Sequence, residues 1–381
     1  MTYLIALCAV CALTRPAVAQ QPSAEMPGTG PNPALPQPDR TSPVRKYLYI
    51  VCWPEGRAPT TPWGFRVTAF ATGLENPRWL YVLPNGDVLV AEARSHPRSD
   101  QPATQRQGMI GAGSIGVSAN RITLLGDADG DGVPETRSIF LQNLNQPLGM
   151  ALVGDTFIVA NTDGVMRFPY REDRTRIDSP GEIILLEIKL DGSGERIFAS
   201  GLRNPVGMGA DYGCALDSGE RARRLRRRPR PRLHHSVREN GFYGWPYSYF
   251  GQNKDPAQGD RRPDLVARAI VPDYALGSHT ASLGLTFCSH ASFPERYRGG
   301  AFVGQRGSWN GSRFSGYKVI FVPFRDGKPA GPAEDFLTGF MANPQTGEAH
   351  GRPVGLAVTA DGSLLVADDA GNTVWRVQAV G

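Results

Sequence analysis

The chain has 381 residues, of which 45 are glycine and 32 are proline, and its formal net charge is +5. Glycine and proline at this level interrupt helices and punctuate short strands, which excludes a largely helical protein and favours one large all-β domain. The five cysteines have no framework spacing, so neither a disulfide scaffold nor a zinc pattern is predicted.

The first 19 residues have the pattern of a secretory signal peptide. An apolar run at Tyr3–Leu13 precedes the small residues at 17–19, and the run is too short to span a bilayer. We predict export to the periplasm or out of the cell without stable membrane insertion; a buried strand is the alternative. Residues 20–62, rich in proline at their start, predict a linker or an extended strap, and the globular part spans residues 63–381.

A strand–turn–strand phrase repeats along the chain. It is clearest in residues 351–377, and it recurs in residues 73–92, 144–161 and 202–210, with a proline near the start of each copy. A unit of this kind cannot bury both of its faces alone, so neighbouring units stack in a ring. The pattern predicts a β-propeller, with a β-sandwich as the alternative.

Three aspartates between two of the predicted strands indicate a metal site. Asp127, Asp129 and Asp131 alternate ahead of a glycine, which is how a calcium-binding loop begins, because three carboxylates can then converge on one cation. The closing glutamate of an EF-hand is missing, since Ser138 stands at the twelfth position. A structural calcium loop is predicted, and an acidic turn without an ion is the alternative.

Two segments interrupt the repeats. Residues 93–118 are a long polar loop, of the kind that forms a functional rim or lacks order. Residues 214–235 are an arginine-rich insert, with eight arginines between Arg221 and Arg232, and subtracting these from the net charge of +5 leaves −3. A nucleic-acid patch is its weakest interpretation, because aromatic residues are not interleaved and an exported protein rarely meets nucleic acid.

Five motifs carry a family resemblance: LRNPVG at 202–207, NGFYGWPYSYFGQ at 240–252, HTASLGL at 279–285, GSWN at 307–310 and GRPVGLAV at 351–358. Together they resemble the sorbosone dehydrogenase branch of the soluble quinoprotein sugar dehydrogenases, over most of residues 63–381. The resemblance implies a six-bladed propeller that uses pyrroloquinoline quinone (PQQ) and calcium. The implied activity is the oxidation of a sugar or sugar aldehyde in the periplasm, with an external electron acceptor.

The resemblance also implies site residues. In this family a histidine base takes the hydroxyl proton, calcium polarises the quinone, and arginines hold the carboxylates of the cofactor. Arg203 and Asn204 match the L-R-N-P-x-G motif, and Arg352 matches the G-R-P motif. His279 and Arg306 match rim positions, although the family has a histidine where Arg306 stands. These five are the expected cofactor-binding residues.

One departure from the family pattern bears on activity. The sequence Pro180-Gly181-Glu182 runs directly into a strand, without the segment in which the family carries the histidine stretch N-H-H-W-T-K. The base and about one blade of sheet are therefore predicted to be missing near residues 180–190, and no catalytic residue is assigned. We expect impaired turnover, with a catalytically inactive, at most ligand-binding propeller as the alternative.

The arginine-rich insert stands where the family has an acidic segment with N-E-R-D, D-D and P-D-Y. With suitable G/C-rich codons, residues 216–235 read one base along give W-T-A-V-N-E-R-D-G-F-G-D-D-L-V-P-D-Y-I-T. Arginine codons of the CGN type become aspartate codons under this shift. We predict that the insert is the product of a frame shift that is later reversed, with a genuine basic loop as the alternative. The nucleotide sequence decides between them.

Overall fold

The structure is a computed structural model. It describes residues 28–35, 46–172, 174–184, 199–202, 205–209, 214–217, 231–288, 292–309 and 313–380. The predicted signal peptide, residues 218–230 of the arginine-rich insert, Arg203 and Asn204 lie outside this part of the chain. The structure therefore does not test the predictions made for them.

Strands dominate the described residues and form five successive blades, each an antiparallel sheet. Blade 1 contains Pro77–Val82, Val88–Glu92, Arg121–Gly126 and Thr136–Leu141. Blade 2 contains Gly149–Val153, Thr156–Ala160, Val165–Pro169 and Glu182–Ile184. Blade 3 contains Pro205–Gly209, Cys214–Asp217, Pro231–Ser236 and Tyr274–Ser278. Blade 4 contains Ser282–Cys288, Gly300–Gln305, Lys318–Val322 and Glu334–Leu337. Blade 5 contains Pro353–Val358, Leu364–Asp368, Thr373–Ala379 and Phe65–Ala71.

Blade 5 joins the two ends of the globular part. Its outer strand, Phe65–Ala71, comes from the start of this part and pairs antiparallel with Thr373–Ala379 from its end. Val67 lies opposite Val377 in this pairing. The sheet cannot form until chain segments about three hundred residues apart have met. Closing so long a loop costs entropy, and the contacts of the whole blade must offset that cost.

The first strand of each blade lies innermost, against the first strands of its neighbours. Contacts of this kind join blades 2 and 1, 1 and 5, 5 and 4, and 4 and 3. Four clusters of buried apolar side chains fill the spaces between the same pairs of blades. Between blades 1 and 2, for example, the rings of Phe140 and Phe157 meet edge to face at 5.4 Å. Each blade thus buries its faces against the next one, as the repeated phrase predicts.

A glycine in the innermost strand of blade 4 and one in that of blade 5 permit this close packing. A Cβ atom on Gly284 would lie 2.0 Å from the Val354 carbonyl oxygen, and one on Gly355 would lie 2.6 Å from the Arg78 carbonyl oxygen. Both obstacles are backbone atoms of the neighbouring blade, which cannot rotate away as a side chain can. These two strands therefore need glycine here for close backbone approach.

The junction between blades 2 and 3 differs from the others. In the part of the chain that the structure describes, no comparable contact joins Gly149–Val153 to Pro205–Gly209. The two blades flank residues 185–204, beside the place where the sequence indicates the missing segment. Five blades agree with the predicted propeller of the six-bladed type that lacks one blade. The sheet containing Glu182 has four strands, so among the described residues this blade is complete.

Several short segments lie outside the four-stranded blades. Thr29–Gly30 adds to blade 3 beside Tyr274–Ser278. Residues 46–62 lie as an extended strap along blades 4 and 5, where Tyr49–Ile50 pairs parallel with Glu348–Ala349. The remaining pairs and helices are Ala199–Ser200 with Gly241–Phe242, Ser248–Tyr249 with Asn253–Lys254, Phe324–Arg325 with Lys328–Pro329, Met341–Asn343 with Glu348–Ala349, the α-helices Ala103–Gly111 and Pro263–Arg268, and the 3-10 helices Gly259–Arg261 and Glu295–Tyr297. No helix in the described residues is long and apolar enough to cross a membrane.

We expect Gly284→Ala to lower the free energy of unfolding by about 1–3 kcal/mol, because its new methyl group would collide with the backbone of blade 5. Urea unfolding followed by tryptophan fluorescence measures the change. Gly111→Ala is the matched control, since a Cβ atom there meets nothing within 4 Å. Equal stability of the two variants would contradict the close approach of the inner strands.

Candidate functional site

Three arginines converge on one aspartate at the end of the ring where the inner strands begin. Arg78 is the second residue of its inner strand, and Arg352 directly precedes the inner strand of blade 5. Arg306 follows Gln305, which pairs with the first residue of the inner strand of blade 4. Asp369 follows the second strand of blade 5. We call this side of the propeller the arginine end.

The carboxylate of Asp369 binds all three guanidinium groups. Its Oδ2 accepts hydrogen bonds from Arg78 Nη1 at 2.9 Å and from Arg306 Nε at 2.5 Å, and its Oδ1 accepts one from Arg352 Nε at 2.7 Å. Asp369 is fully buried, and the side chains of Arg78, Arg306 and Arg352 are 20%, 16% and 3% exposed. One negative charge thus faces three positive charges, which leaves a surplus of two at a partly open site.

This arrangement shifts the pKa values of Asp369, Arg78 and Arg352. Burial alone would raise the pKa of Asp369, but Arg306, Arg352 and Arg78 hold that pKa well below its usual range. Burial, together with the neighbouring charge of Arg306, lowers the pKa of Arg78 to about 10. The same two causes lower the pKa of Arg352. A second anion bound at the site would relieve the repulsion between the guanidinium groups.

A second buried carboxylate, Asp368, has only neutral partners. Its Oδ1 accepts hydrogen bonds from the backbone N–H groups of Arg352 at 2.7 Å and Gly371 at 2.8 Å. Its Oδ2 accepts hydrogen bonds from the indole N–H groups of Trp53 at 3.0 Å and Trp375 at 3.2 Å. Burial raises its pKa in spite of these donors. Asp368 therefore fixes the strap, through Trp53, directly beside the arginine cluster.

Four further buried polar atoms at the arginine end have no hydrogen-bond partner among the described residues. They are Tyr47 Oη, Arg94 Nε, Asn161 Oδ1 and Gln305 Oε1. Arg94, Asn161 and Gln305 stand where strands of blades 1, 2 and 4 end on this side, and Tyr47 packs against Gly108 of the helix above it. Buried polar groups are normally paired. Their concentration here suits a polar ligand or ordered water.

The structure brings together two of the five predicted cofactor-binding residues, Arg306 and Arg352. His279 lies between blades 3 and 4 at the same end, with a backbone φ of 62°. Arg203 and Asn204 lie outside the described residues. Sequence reasoning missed Arg78 and Asp369. A signal for Arg78 existed, since it follows the proline of the repeated phrase.

The predicted calcium loop lies at the opposite end of the ring. The strand Arg121–Gly126 starts beside Glu92 at the arginine end and runs about 17–20 Å to the loop. Asp127, Asp129, Asp131 and Glu135 there place one carboxylate oxygen each within 4.8 Å of one another. Burial raises the pKa of Asp127. Glu135 was missed, because the EF-hand spacing directs attention to the twelfth position.

We expect Asp369→Asn to lower the free energy of unfolding by about 3–5 kcal/mol near pH 7, because three buried guanidinium groups would lose their counter-charge. Since the pKa of Asp369 is depressed in the folded state, this stabilisation is full above the unfolded carboxyl pKa of about 3.9 and is lost progressively below it. Urea unfolding at several pH values measures both effects.

Asp178→Asn is the control for this experiment. Its carboxylate is exposed and pairs with Arg176 on the surface, so we expect a change below about 1 kcal/mol. A difference between wild type and Asp369→Asn that does not shrink as the pH falls below about 4 would contradict the proposed ionisation of Asp369.

Family models and one relative match parts of the chain. The family described as TrAA12-like matches residues 251–380, and a domain of unknown function (DUF7133) matches residues 60–179. An uncharacterized protein of Borreliella burgdorferi is 30% identical over 212 residues, which are 54% of this chain and 55% of that protein. The match thus spans about half the length of this relative.

Solved structures match the whole propeller. The PQQ domain of pyranose dehydrogenase from Coprinopsis cinerea, in its holo form, has a TM-score of 0.62 at 19% identity and covers 86% of this chain and 98% of its own. A calcium structure of the Trichoderma reesei family AA12 carbohydrate-active enzyme has a TM-score of 0.64 at 16% identity, covering 85% and 97%. PQQ-bound aldose sugar dehydrogenase from Streptomyces coelicolor has a TM-score of 0.51 at 13% identity, covering 84% and 99%.

At these identities the likeness is one of fold. It confirms, for the fold, the resemblance that the sequence motifs indicated. The chain has the β-propeller fold of these structures, which include PQQ-dependent sugar dehydrogenases.

Proposed function

We propose that this protein binds PQQ at the arginine end of the propeller and uses it to oxidise a sugar or sugar aldehyde at a low rate. The observation that carries the proposal is the surplus of two positive charges around Asp369 in a partly open site. Two of the similar structures hold PQQ or are described as holo forms of a PQQ domain. The low rate follows from the histidine segment that the sequence lacks.

The residues at the arginine end fit the carboxylates of PQQ. Guanidinium groups bind carboxylates through parallel, charge-assisted hydrogen bonds. Arg78 uses only Nη1 for Asp369, so its Nε and Nη2 remain available among the described contacts. Arg306 retains Nη1. We therefore assign ligand contact to Arg78 and Arg306, with Arg203, Asn204 and His279 as further cofactor-binding residues on the basis of the motifs.

Bound PQQ supplies the hydride acceptor for the carbon that is oxidised. The chain must supply an acceptor for the hydroxyl proton. The described histidines at the arginine end include His279 and His350. His350 donates its Nδ1 hydrogen to the Cys52 carbonyl oxygen at 3.1 Å and stacks on Trp53, which leaves the Nε2 lone pair to accept a proton. Neither stands in the sequence context of the family base, so we expect them to substitute for it poorly.

Calcium does not fit the arginine end in the described residues. The buried carboxylates there are Asp368, Asp369 and Glu92. Asp368 and Asp369 are bound as described above, and Glu92 accepts hydrogen bonds from Arg121 and Thr123 and from the Glu75 backbone. With no buried carboxylate left for a hard cation, no polarisation of the quinone by calcium is assigned here.

We place calcium in the loop of Asp127, Asp129, Asp131 and Glu135, where it would be structural. Four carboxylates that face one another without a cation repel, and a hard divalent ion would satisfy them. The loop also packs on blade 5, because Gly132 lies against the Arg376 side chain. Calcium would therefore stabilise the contact between blades 1 and 5, far from the arginine end.

A propeller that binds a ligand without turnover is the second candidate function. Two observations favour it. Every buried carboxylate described at the arginine end already accepts hydrogen bonds from the protein, and the sequence lacks the histidine segment, so no proton acceptor of the family type is assigned. The two candidates share the anion site and differ only in whether a proton acceptor is in place. For either, we propose a periplasmic or secreted protein on the basis of the N-terminal pattern, with a small sugar and an external electron acceptor as partners of the enzyme.

We expect PQQ to bind the purified protein, and Arg78→Ala or Arg306→Ala to weaken binding about ten-fold or more, because each removes hydrogen bonds between charged groups. Titration of PQQ by fluorescence or calorimetry measures this. Arg167→Ala is the control, since Arg167 is exposed on blade 2 and pairs with Glu182. In the same samples, dye reduction with aldoses and sugar aldehydes separates the two candidates. Absence of PQQ binding by the wild type would remove both PQQ-based functions.

We expect millimolar calcium to raise the thermal unfolding midpoint of the wild type. When the calcium concentration is one hundred times the dissociation constant, binding adds about 2.7 kcal/mol to the free energy of unfolding. Asp131→Asn should abolish the response, whereas the surface variant Asp178→Asn should retain it. The PQQ affinity should not change, because the loop lies at the other end of the ring. An unresponsive wild type would leave the loop as an acidic turn without an ion.

A further inference from the structure

A short connection from the polar segment 93–118 lies directly on the arginine cluster. It consists of Ala112–Ile115, after the helix Ala103–Gly111. Ala112 and Ile115 are buried, and Ile115 bridges to Ser95. The Ser114 backbone N–H donates to the Met109 carbonyl at 2.9 Å. Gly113 has a φ of +61°, a conformation that side chains rarely adopt. The connection is therefore fixed on both sides of Ser114.

The Ser114 hydroxyl bridges two of the three arginines. Its Oγ accepts hydrogen bonds from Arg352 Nη1 at 2.8 Å and from Arg306 Nη2 at 3.3 Å. A hydroxyl oxygen has two lone pairs and one hydrogen. Both lone pairs are used here, so Ser114 can act toward a ligand only as a donor. The two guanidinium groups are then held side by side, between Asp369 and Ser114.

Because of this bridge, the three arginines differ in how many N–H groups they can offer to a ligand. Arg352 uses Nε for Asp369, Nη1 for Ser114 and Nη2 for the Gly113 carbonyl, and its side chain is only 3% exposed. Each of its guanidinium nitrogens thus has a partner in the protein. Arg306 and Arg78 are five to seven times more exposed and keep unused N–H groups in the described contacts. A ligand would meet Arg78, Arg306 and the Ser114 hydroxyl, with Arg352 behind them.

We propose that Ser114 is a positioning residue of the anion site, which fixes Arg306 and Arg352 and adds a hydrogen-bond donor of its own. The segment 93–118 is then part of the binding site, and Arg352 acts through its neighbours without touching the ligand. Arg78, Arg306 and the Ser114 hydroxyl all present donors, so together they select ligand groups that only accept, such as carboxylates. This inference rests on the proposed function in naming PQQ as the ligand.

The test compares Ser114→Ala, Ser114→Thr and the control Ser118→Ala. Ser118 lies in the same segment, where its hydroxyl contacts Asn120 and the Arg94 backbone but no arginine of the cluster. PQQ titration should show about ten-fold weaker binding for Ser114→Ala. Ser114→Thr, which retains the hydroxyl, should bind within about three-fold of the wild type, and Ser118→Ala should bind like the wild type. Ser114→Thr as weak as Ser114→Ala would mean that packing, not the hydroxyl, matters, and would overturn the proposal.

A second measurement does not depend on PQQ. In protein labelled with ¹⁵N-arginine, the Nε–H signals of Arg306 and Arg352 are assigned with Arg306→Lys and Arg352→Lys. Both should exchange slowly with solvent in the wild type, and Ser114→Ala should accelerate both at least several-fold. Unchanged exchange would overturn the proposal. If the wild type fails to bind PQQ, the proposed function fails, but this measurement still decides whether Ser114 positions the arginines.

Discussion

The arginine end depends on one buried charge, that of Asp369. Arg78 comes from blade 1, Arg306 from blade 4, and Arg352 and Asp369 from blade 5, so this carboxylate ties three consecutive blades of the ring together. Without it, three guanidinium groups would repel one another in a poorly solvated space. With it, two positive charges remain uncompensated. The same interaction therefore stabilises the ring and leaves the positive charge on which the proposed anion binding depends.

The adjacent residue, Asp368, shows how a strand end can serve two purposes. Successive side chains of a strand point to opposite faces. The Asp368 side chain points toward Trp53 and Trp375, where the strap packs on blade 5. The Asp369 side chain points toward the arginines. The first carboxylate is held by neutral donors and the second by cations, so burial raises the pKa of one and the arginines lower the pKa of the other. The strap is thus fixed to Asp368, the residue next to the arginine cluster.

The sequence predicted the propeller well because its signal is local. The repeated phrase contains the strand pair and the turn within about twenty residues. The site was predicted only in part. Arg306 and Arg352 were found through motifs, but the partner that unites them, Asp369, lies 63 residues from Arg306 and 291 from Arg78. Ser114 lies 238 residues from Arg352, in a segment whose polar composition indicates only a loop. Contacts of this kind follow from the order of the blades around the ring, which no local pattern contains.

The position of the segment that the sequence lacks would explain how the proposed binding and turnover could separate in this chain. The arginine cluster is built from blades 4, 5 and 1, which are contiguous in the described structure. The departure from the family pattern falls between blades 2 and 3, across the ring from Asp369. Loss of sheet there leaves the arginine cluster, the strap and the Ser114 connection in place. It removes the segment that, by resemblance, would carry the proton acceptor. A propeller altered in this way would keep the charge that attracts a carboxylate cofactor while losing most of the rate that a positioned base contributes, typically about 10²–10⁴-fold.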